Sequence, residues 1–221
     1  AQAVVDALLA TIGTDGTLVM PTHASGLSEP SYWQHPPVPE SWWPIIREET
    51  PAFDPEVTPS RKMGVIVECF RHYPGVRRSG HPQVSFAAIG PNADAITADH
   101  SMENPLGEAS PLGRLYDLDA NILLLGVGHT NNTSLHLAEY RADYSSKEWS
   151  RQGAPVLIDG QRRWVTFMEI EGDDGDFDQI GAAYAASGQG RSGRVGNGAA
   201  TLMTARSLVD FATLWMTEHR T

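Results

Sequence analysis

One cysteine, Cys69, stands in 221 residues, so the chain carries neither a disulfide framework nor a thiolate zinc site. Long apolar runs are also missing. The longest, Ile122 to Leu125 extended by Val127, stops at glycines and falls far short of a membrane span. Positive charge is scarce: the formal net charge is −11 at pH 7, which argues against a nucleic-acid binder, since phosphates need basic patches. His23, His35, His72, His81, His100, His129 and His136 are scattered, with no H-E-x-x-H and no tight Cys/His spacing, so no metal is expected. Gly126-Val127-Gly128 runs on to Asn131 where a dinucleotide fingerprint needs a third glycine. No G-x-S-x-G occurs, which weakens a serine hydrolase.

What is present is ordinary globular composition, 41% hydrophobic and 19% charged. That length and balance suit one large domain over residues 1–221, with neither repeats nor a linker to divide it. Nothing points to secretion, and a cytoplasmic location is expected. The acidic surplus commonly serves solubility. It also suits a negative field that draws in a polycationic small molecule.

Helical and strand patterns alternate. Val4–Ile12 reads as a helix closed by Gly13, entered without a capping residue, as if the numbering began inside a domain. Thr17–Met20 reads as a strand. Residues 23–59, rich in Pro, Trp, Ser and Glu, read as a long substrate-covering loop. Further helices are expected over Met63–Arg71, Ala93–Ala98, Thr133–Arg141, Gln179–Ala186 and Ala205–Met216, with another starting at Ser110-Pro111. Ser85–Ile89 and Asn121–Val127 read as strands, the latter buried. Pro155–Ile158 and Trp164–Ile170 flank the hairpin turn dipeptide Asp159-Gly160. Strands alternating with helices, plus one hairpin, give an α/β fold with a mixed central sheet.

Chemistry concentrates in residues 123–141, where a strand runs through a glycine turn and a polar loop into a helix. Ligands in open α/β sheets sit beyond such strand ends. Asn132 or Thr133 is placed to cap the helix, leaving its N–H groups to face an anion or a developing oxyanion. His136 and Glu139 fall on adjacent rows of one helix face. A carboxylate there fixes the imidazole tautomer and raises the basicity of the other nitrogen, which equips the pair to take a proton from an amine. Spacing alone fits a surface ion pair more often than a catalytic one.

The wider sequence adds a resemblance. "SPLGRLY" (Ser110–Tyr116), "ILLLGVG" (Ile122–Gly128) and "NTSLHLAEYRA" (Asn132–Ala142) are similar to motifs of the aminoglycoside 3-N-acetyltransferase family. So are "FDP" (Phe53–Pro55), "PSRKMG" (Pro59–Gly64), "RSGHPQVSFAAIG" (Arg78–Gly90), "GRVGNGAATLM" (Gly193–Met203) and "LVDFA" (Leu208–Ala212), in order over nearly the whole chain. The resemblance implies a three-layer α/β/α fold, distinct from the common N-acetyltransferase fold. It implies acetyl transfer from acetyl-CoA to an amine on a 2-deoxystreptamine ring, and so antibiotic resistance. It makes His136 the base, Glu139 its support and Thr133 a helper at the oxyanion. The family also begins with a strand and a serine-containing loop that contributes to CoA binding, and this chain starts after it.

Within the matching motifs, Ser60, Arg61, Gly64 and Phe86 are assigned to CoA, Arg61 and Lys62 placing cations at a helix start. His81 is as readily structural as ligand-contacting. Asp54, Asp143, Glu171 and Asp173 are assigned to the cationic substrate. The expected partners are an aminoglycoside and CoA, without nucleic acid or membrane, in a monomer or homodimer. Three alternatives stay open: transfer to another small amine, a hydrolase using Ser134 or Ser79 with His136, and a non-catalytic binder of cationic ligands.

Overall fold

In the computed structural model, which describes residues 1–221, the chain folds as two compact units, residues 1–105 with 151–169 and residues 106–150 with 170–221.

In the first unit, the apolar residues at helical spacing form α1 (Gln2–Ile12), which Gly13 closes at φ 69°. Strand β1 (Leu18–Pro21) follows, then α2 (Trp43–Glu49) and α3 (Gly64–Arg71), β2 (Arg77–Arg78), β3 (Phe86–Ile89) and α4 (Ala93–Thr97). β3 lies between β1 and β2 and is antiparallel to both, with Leu18 opposite Ile89 and Arg77 opposite Ala88. One core joins α1, β1, α3 and β3. Val5 of α1, Met20 of β1, Phe70 of α3 and Ala87 of β3 are buried together, surrounded by Leu8, Leu9, Ile66 and Val67.

The segment read as a substrate-covering loop is tied down. It holds two 3₁₀ turns, Pro30–Tyr32 and Glu40–Trp42, and α2, none of whose residues is buried, so no apolar stripe announced it. Arg47 of α2 grips Glu29 through two bonds, 2.6 and 3.2 Å. Arg78 gathers the segment from the other side. Its guanidinium donates to the carbonyls of Thr22 (2.7 Å) and Pro55 (3.3 Å) and lies over the Phe53 ring. Burial lowers the Arg78 pKa to about 10, which leaves it charged at neutral pH. The hairpin β5 (Trp149–Ile158) and β6 (Gln161–Ile170) turns at Asp159 and Gly160, both at positive φ, as the primed turn requires. Arg162 of β6 donates to the Thr50 carbonyl (2.7 Å), fastening α2 to the hairpin.

In the second unit, α5 (Pro111–Asp117) starts as its sequence indicates, with the Ser110 hydroxyl accepting from the Leu112 amide (3.1 Å) and proline in the first turn. Then come β4 (Asn121–Leu125), α6 (Leu135–Arg141), α7 (Phe177–Ala186), β7 (Arg191–Val195), β8 (Gly198–Thr204) and α8 (Ala205–His219). β8 runs between β4 and β7, antiparallel to each. β4 was expected to be buried. It is a sheet edge in which only Leu124 is buried, and Leu123 is 41% exposed. α8 buries Ala205, Leu208, Val209, Ala212 and Met216, a single helical face, and packs on α5, α6 and α7.

The chain thus has the expected α/β class. Its strands pair in three antiparallel sheets in place of one mixed sheet, because two of them are built on tight hairpin turns that send the chain straight back. No helix is long and apolar enough to cross a membrane.

Candidate active site

α6 presents His136 and Glu139 one turn apart, and they meet. The His136 Nδ1–H donates to Glu139 Oε2 at 2.5 Å. Glu139 is fully buried while the His136 side chain is 25% exposed, so Nε2 is the nitrogen left for an incoming group. The edge of the Phe177 ring lies against the imidazole, with centroids 5.1 Å apart, and helps fix its plane.

Glu139 has more partners than sequence spacing suggested. Its Oε1 accepts from Arg220 Nη1 (2.7 Å) and from the Asp173 amide (2.9 Å). Burial alone would raise the pKa of this carboxyl. The bond and charge of His136, with those of Arg220 and the Asp173 amide, outweigh it and lower the pKa below the ordinary value. Glu139 is therefore an ionised acceptor, which places the imidazole proton on Nδ1 and the lone pair on Nε2. Arg220 is held in turn by Asp176, at 2.6 and 2.8 Å, and donates to the Asp173 carbonyl at 2.7 Å. Burial lowers its pKa, but bonds to Asp176 and Glu139 overcome that and raise it. Gly172 passes over the pair with backbone alone, and a Cβ there would stand 3.4 Å from both Glu139 Oε2 and His136 Nδ1.

The loop before α6 departs from expectation. α6 starts at Leu135, later than Thr133, and the Asn132 side chain accepts from the Ser134 amide (3.3 Å) ahead of the helix. The amides expected to face an anion have internal partners. The Leu135 amide bonds the Asn132 carbonyl (3.0 Å) and the His136 amide the Thr133 carbonyl (3.1 Å), while in the turn before them Asp178 of α7 accepts from the amides of His129 (2.8 Å) and Thr130 (3.3 Å). Gly128 lets Asp178 approach closely, since a Cβ there would stand 3.0 Å from Asp178 Oδ1.

The remaining candidates divide between the units. Thr133, Asp143, Glu171 and Asp173 share the second unit with His136 and Glu139. Asp143, Glu171 and Asp173 are exposed. Ser60, Arg61, Gly64, Phe86 and Asp54 belong to the first. There the Ser60 hydroxyl is donated to Glu68 (2.6 Å), Arg61 and Gly64 are exposed, and Asp54 accepts from the Glu56 amide (2.8 Å). Phe86 requires a correction. It is buried to 2% and packs edge-on against His23, a core position rather than a ligand contact. His81 is fully buried, its Nδ1 accepting from the amides of Gln83 and Val84, which makes it structural. Ser79 is fully buried and committed to His100 (2.9 Å) and the Phe86 amide (2.9 Å), so it cannot serve as a hydrolase nucleophile.

Arg220, Asp176, Asp178 and Gly172 were not foreseen. Arg220 reaches Glu139 across 81 residues and Asp176 reaches Arg220 across 44, separations at which no local pattern signals contact.

The chain is similar to known proteins over nearly its whole length. A family model described as aminoglycoside 3-N-acetyltransferase matches residues 1–217. An SPbeta prophage-derived aminoglycoside N(3')-acetyltransferase-like protein, YokD, of Bacillus subtilis (strain 168) is 43% identical over 97% of this chain and 79% of its own length. Its crystal structure superposes with a TM-score of 0.95, at 42% identity over 99% of this chain and 80% of that one. Aminoglycoside N(3)-acetyltransferase VII of Streptomyces paromomycinus is 37% identical over 98% of this chain and 79% of its length. Two ligand complexes also match. AAC-IIIb in binary complex with CoASH has a TM-score of 0.88 and 30% identity, covering 99% of this chain and 84% of that one. AAC-VIa bound to sisomicin has a TM-score of 0.88 and 32% identity, covering 100% and 85%.

Proposed function

Because the chain belongs to the aminoglycoside 3-N-acetyltransferase family, we propose that it moves the acetyl group of acetyl-CoA onto the 3-amino group of a 2-deoxystreptamine aminoglycoside, conferring resistance, with His136 as general base. The observation that carries the reading is the short His136–Glu139 bond, which leaves Nε2 available beside a buried, ionised carboxylate. The relatives' names and the CoA and sisomicin complexes support the substrate classes.

An ammonium has no lone pair, so the acceptor amine must lose a proton before it can attack. His136 Nε2 takes that proton, and the imidazolium so formed is stabilised by Glu139 at Nδ1. Of the groups in hydrogen-bond contact, Glu139 and Asp176 carry two negative charges and Arg220 one positive, a balance of one negative charge opposite the neutral ring. Acetyl-CoA supplies the activated acyl group as a thioester. Arg61 and Lys62, exposed side by side before α3, suit its phosphates, with Ser60 and Gly64 shaping the turn. Thr133, three residues before His136 and half-buried, is assigned to the oxyanion through its hydroxyl. Glu171, Asp173, Asp143 and Asp54 are assigned to the ammonium groups of the drug.

The test is thiol release from acetyl-CoA by the purified chain with and without a gentamicin-type aminoglycoside, the product mapped by NMR. Release that depends on the drug, with acetylation at the 3-amino group, is expected. Release with unrelated amines alone would move the substrate elsewhere. No release with any acceptor would leave a binding protein.

A further inference from the structure

Arg220 follows α8 directly and lies beyond the residues matched by the family model, 1–217. Its side chain is only 8% exposed, which is uncommon for a guanidinium. Every strong contact it makes leads to the candidate base: Nη1 to Glu139 Oε1, Nη2 to the carbonyl of Asp173, whose amide binds the same Oε1, and a two-point grip on Asp176. The capping bond from the Arg220 amide to the Met216 carbonyl (2.9 Å) fixes where the side chain departs. α8 packs on α6, so the helix delivers the cation to the buried end of Glu139.

We propose that Arg220 is a positioning residue for the acetyl transfer: by occupying Glu139 Oε1 it keeps the carboxylate ionised and turns Oε2 toward His136 Nδ1, with Asp176 holding Arg220 in place. This rests on His136 being the base. A buried carboxylate without a counter-charge takes up a proton more readily, and a protonated Glu139 no longer requires the proton on Nδ1. The groups that face Glu139 are His136 on its own helix, Arg220 after α8, and the Asp173 amide and Asp176 from the segment after β6. Tyr144, whose hydroxyl is 3.4 Å from Arg220 Nη1, and Lys147, bound to the Tyr140 carbonyl, stand behind them. Lys147 is the one other cation of this set, and its amine is turned to backbone oxygens, so Arg220 supplies the direct neutralisation.

The test uses the full chain with R220A, R220K and D176N. The kinetic parameters kcat and KM for acetyl-CoA and a gentamicin-type drug are read across roughly pH 5 to 9, where an imidazole base reports. Imidazole nitrogen NMR of the ligand-free protein reads the His136 tautomer, and melting curves confirm folding. For R220A the expected result is a kcat loss of about tenfold or more with KM little changed. The acidic limb should move to higher pH, and Nδ1–H should no longer be the single tautomer. R220K should recover part of each effect, and D176N should show a weaker form of the loss. A folded R220A with wild-type pH profile and tautomer would overturn the proposal, as would a kcat loss that leaves both unchanged. If R220A does not fold, the same readings on R220K and D176N decide. If the wild type acetylates no aminoglycoside, the functional reading fails while the tautomer measurement still decides the role of Arg220.

Discussion

Glu139 is the residue on which the site turns, since it is fully buried yet ionised, with both oxygens committed. Replacing it with glutamine keeps its shape but removes the charge that stabilises the imidazolium. E139Q is expected to lower kcat by roughly tenfold to a hundredfold with little change in KM, measured by thiol release at saturating drug. A wild-type kcat would mean that the pair is structural. The His–Glu pair was legible because residues three apart on a helix share a face, and the family-like motif around them gave the spacing a role. Arg220 and Asp176 were not legible, because their contacts depend on α8 and the segment after β6 folding onto α6. Phe86 went the other way. It sits in a family-like motif, but β3 is the central strand of its sheet and is buried at Phe86, Ala87 and Ala88 in succession, so the ring lies in the core.

Among the elements, helices with an apolar stripe and a turn residue at their end were read well. α1, α3 and α8 fall close to their expected bounds, and α5 starts where Ser110-Pro111 indicates. The Ser110 cap should be worth about 1 kcal/mol, so S110A is expected to lower the melting temperature by roughly 2–4 °C without changing kcat. Where short-range chemistry gives way to pairing, the reading failed. β7 and β8, from Arg191 to Thr204, are rich in glycine and alanine and lack apolar alternation, so the turn dipeptide Gly196-Asn197, with Gly196 at φ 58°, was the one local mark of their hairpin and did not suffice. The loop before α6 depends on a distant carboxylate in the same way. Asp178 holds the His129 and Thr130 amides, so D178A should free them. Amide hydrogen exchange at these two positions is expected to accelerate while the core of α8 stays protected. Unchanged exchange would show that the turn holds itself.

Over the whole molecule, the acidic surplus and the buried titratable groups set the response to salt and pH. With a net charge of −11, the chain should attract a polycationic drug less as salt screens the field. The KM for the drug is expected to rise severalfold between about 25 and 250 mM salt, while that for acetyl-CoA does not rise. Burial, with His100 beside it, lowers the His81 pKa from 6.5 to about 3. The unfolded chain takes up this proton and the folded one does not, so stability falls as pH drops from 6.5 toward 3. Glu68 adds to the loss. Its bond to Arg71 leads the causes that lower its pKa from 4.5 to about 2, so its contribution is present above 4.5 and fades as pH falls toward 2. Thermal melts across this range should show a continuous decline, and a flat profile would contradict both assignments. The division into two units was not visible in the sequence, because no linker or change of composition marks where the chain crosses between them. The central claim is that His136 removes the proton from the acceptor amine, and the most direct measurement is kcat against pH for H136N. The account predicts a fall of about a hundredfold or more at neutral pH, partly recovered at alkaline pH where the amine loses its proton unaided. Near-normal acetylation at neutral pH by H136N would contradict it.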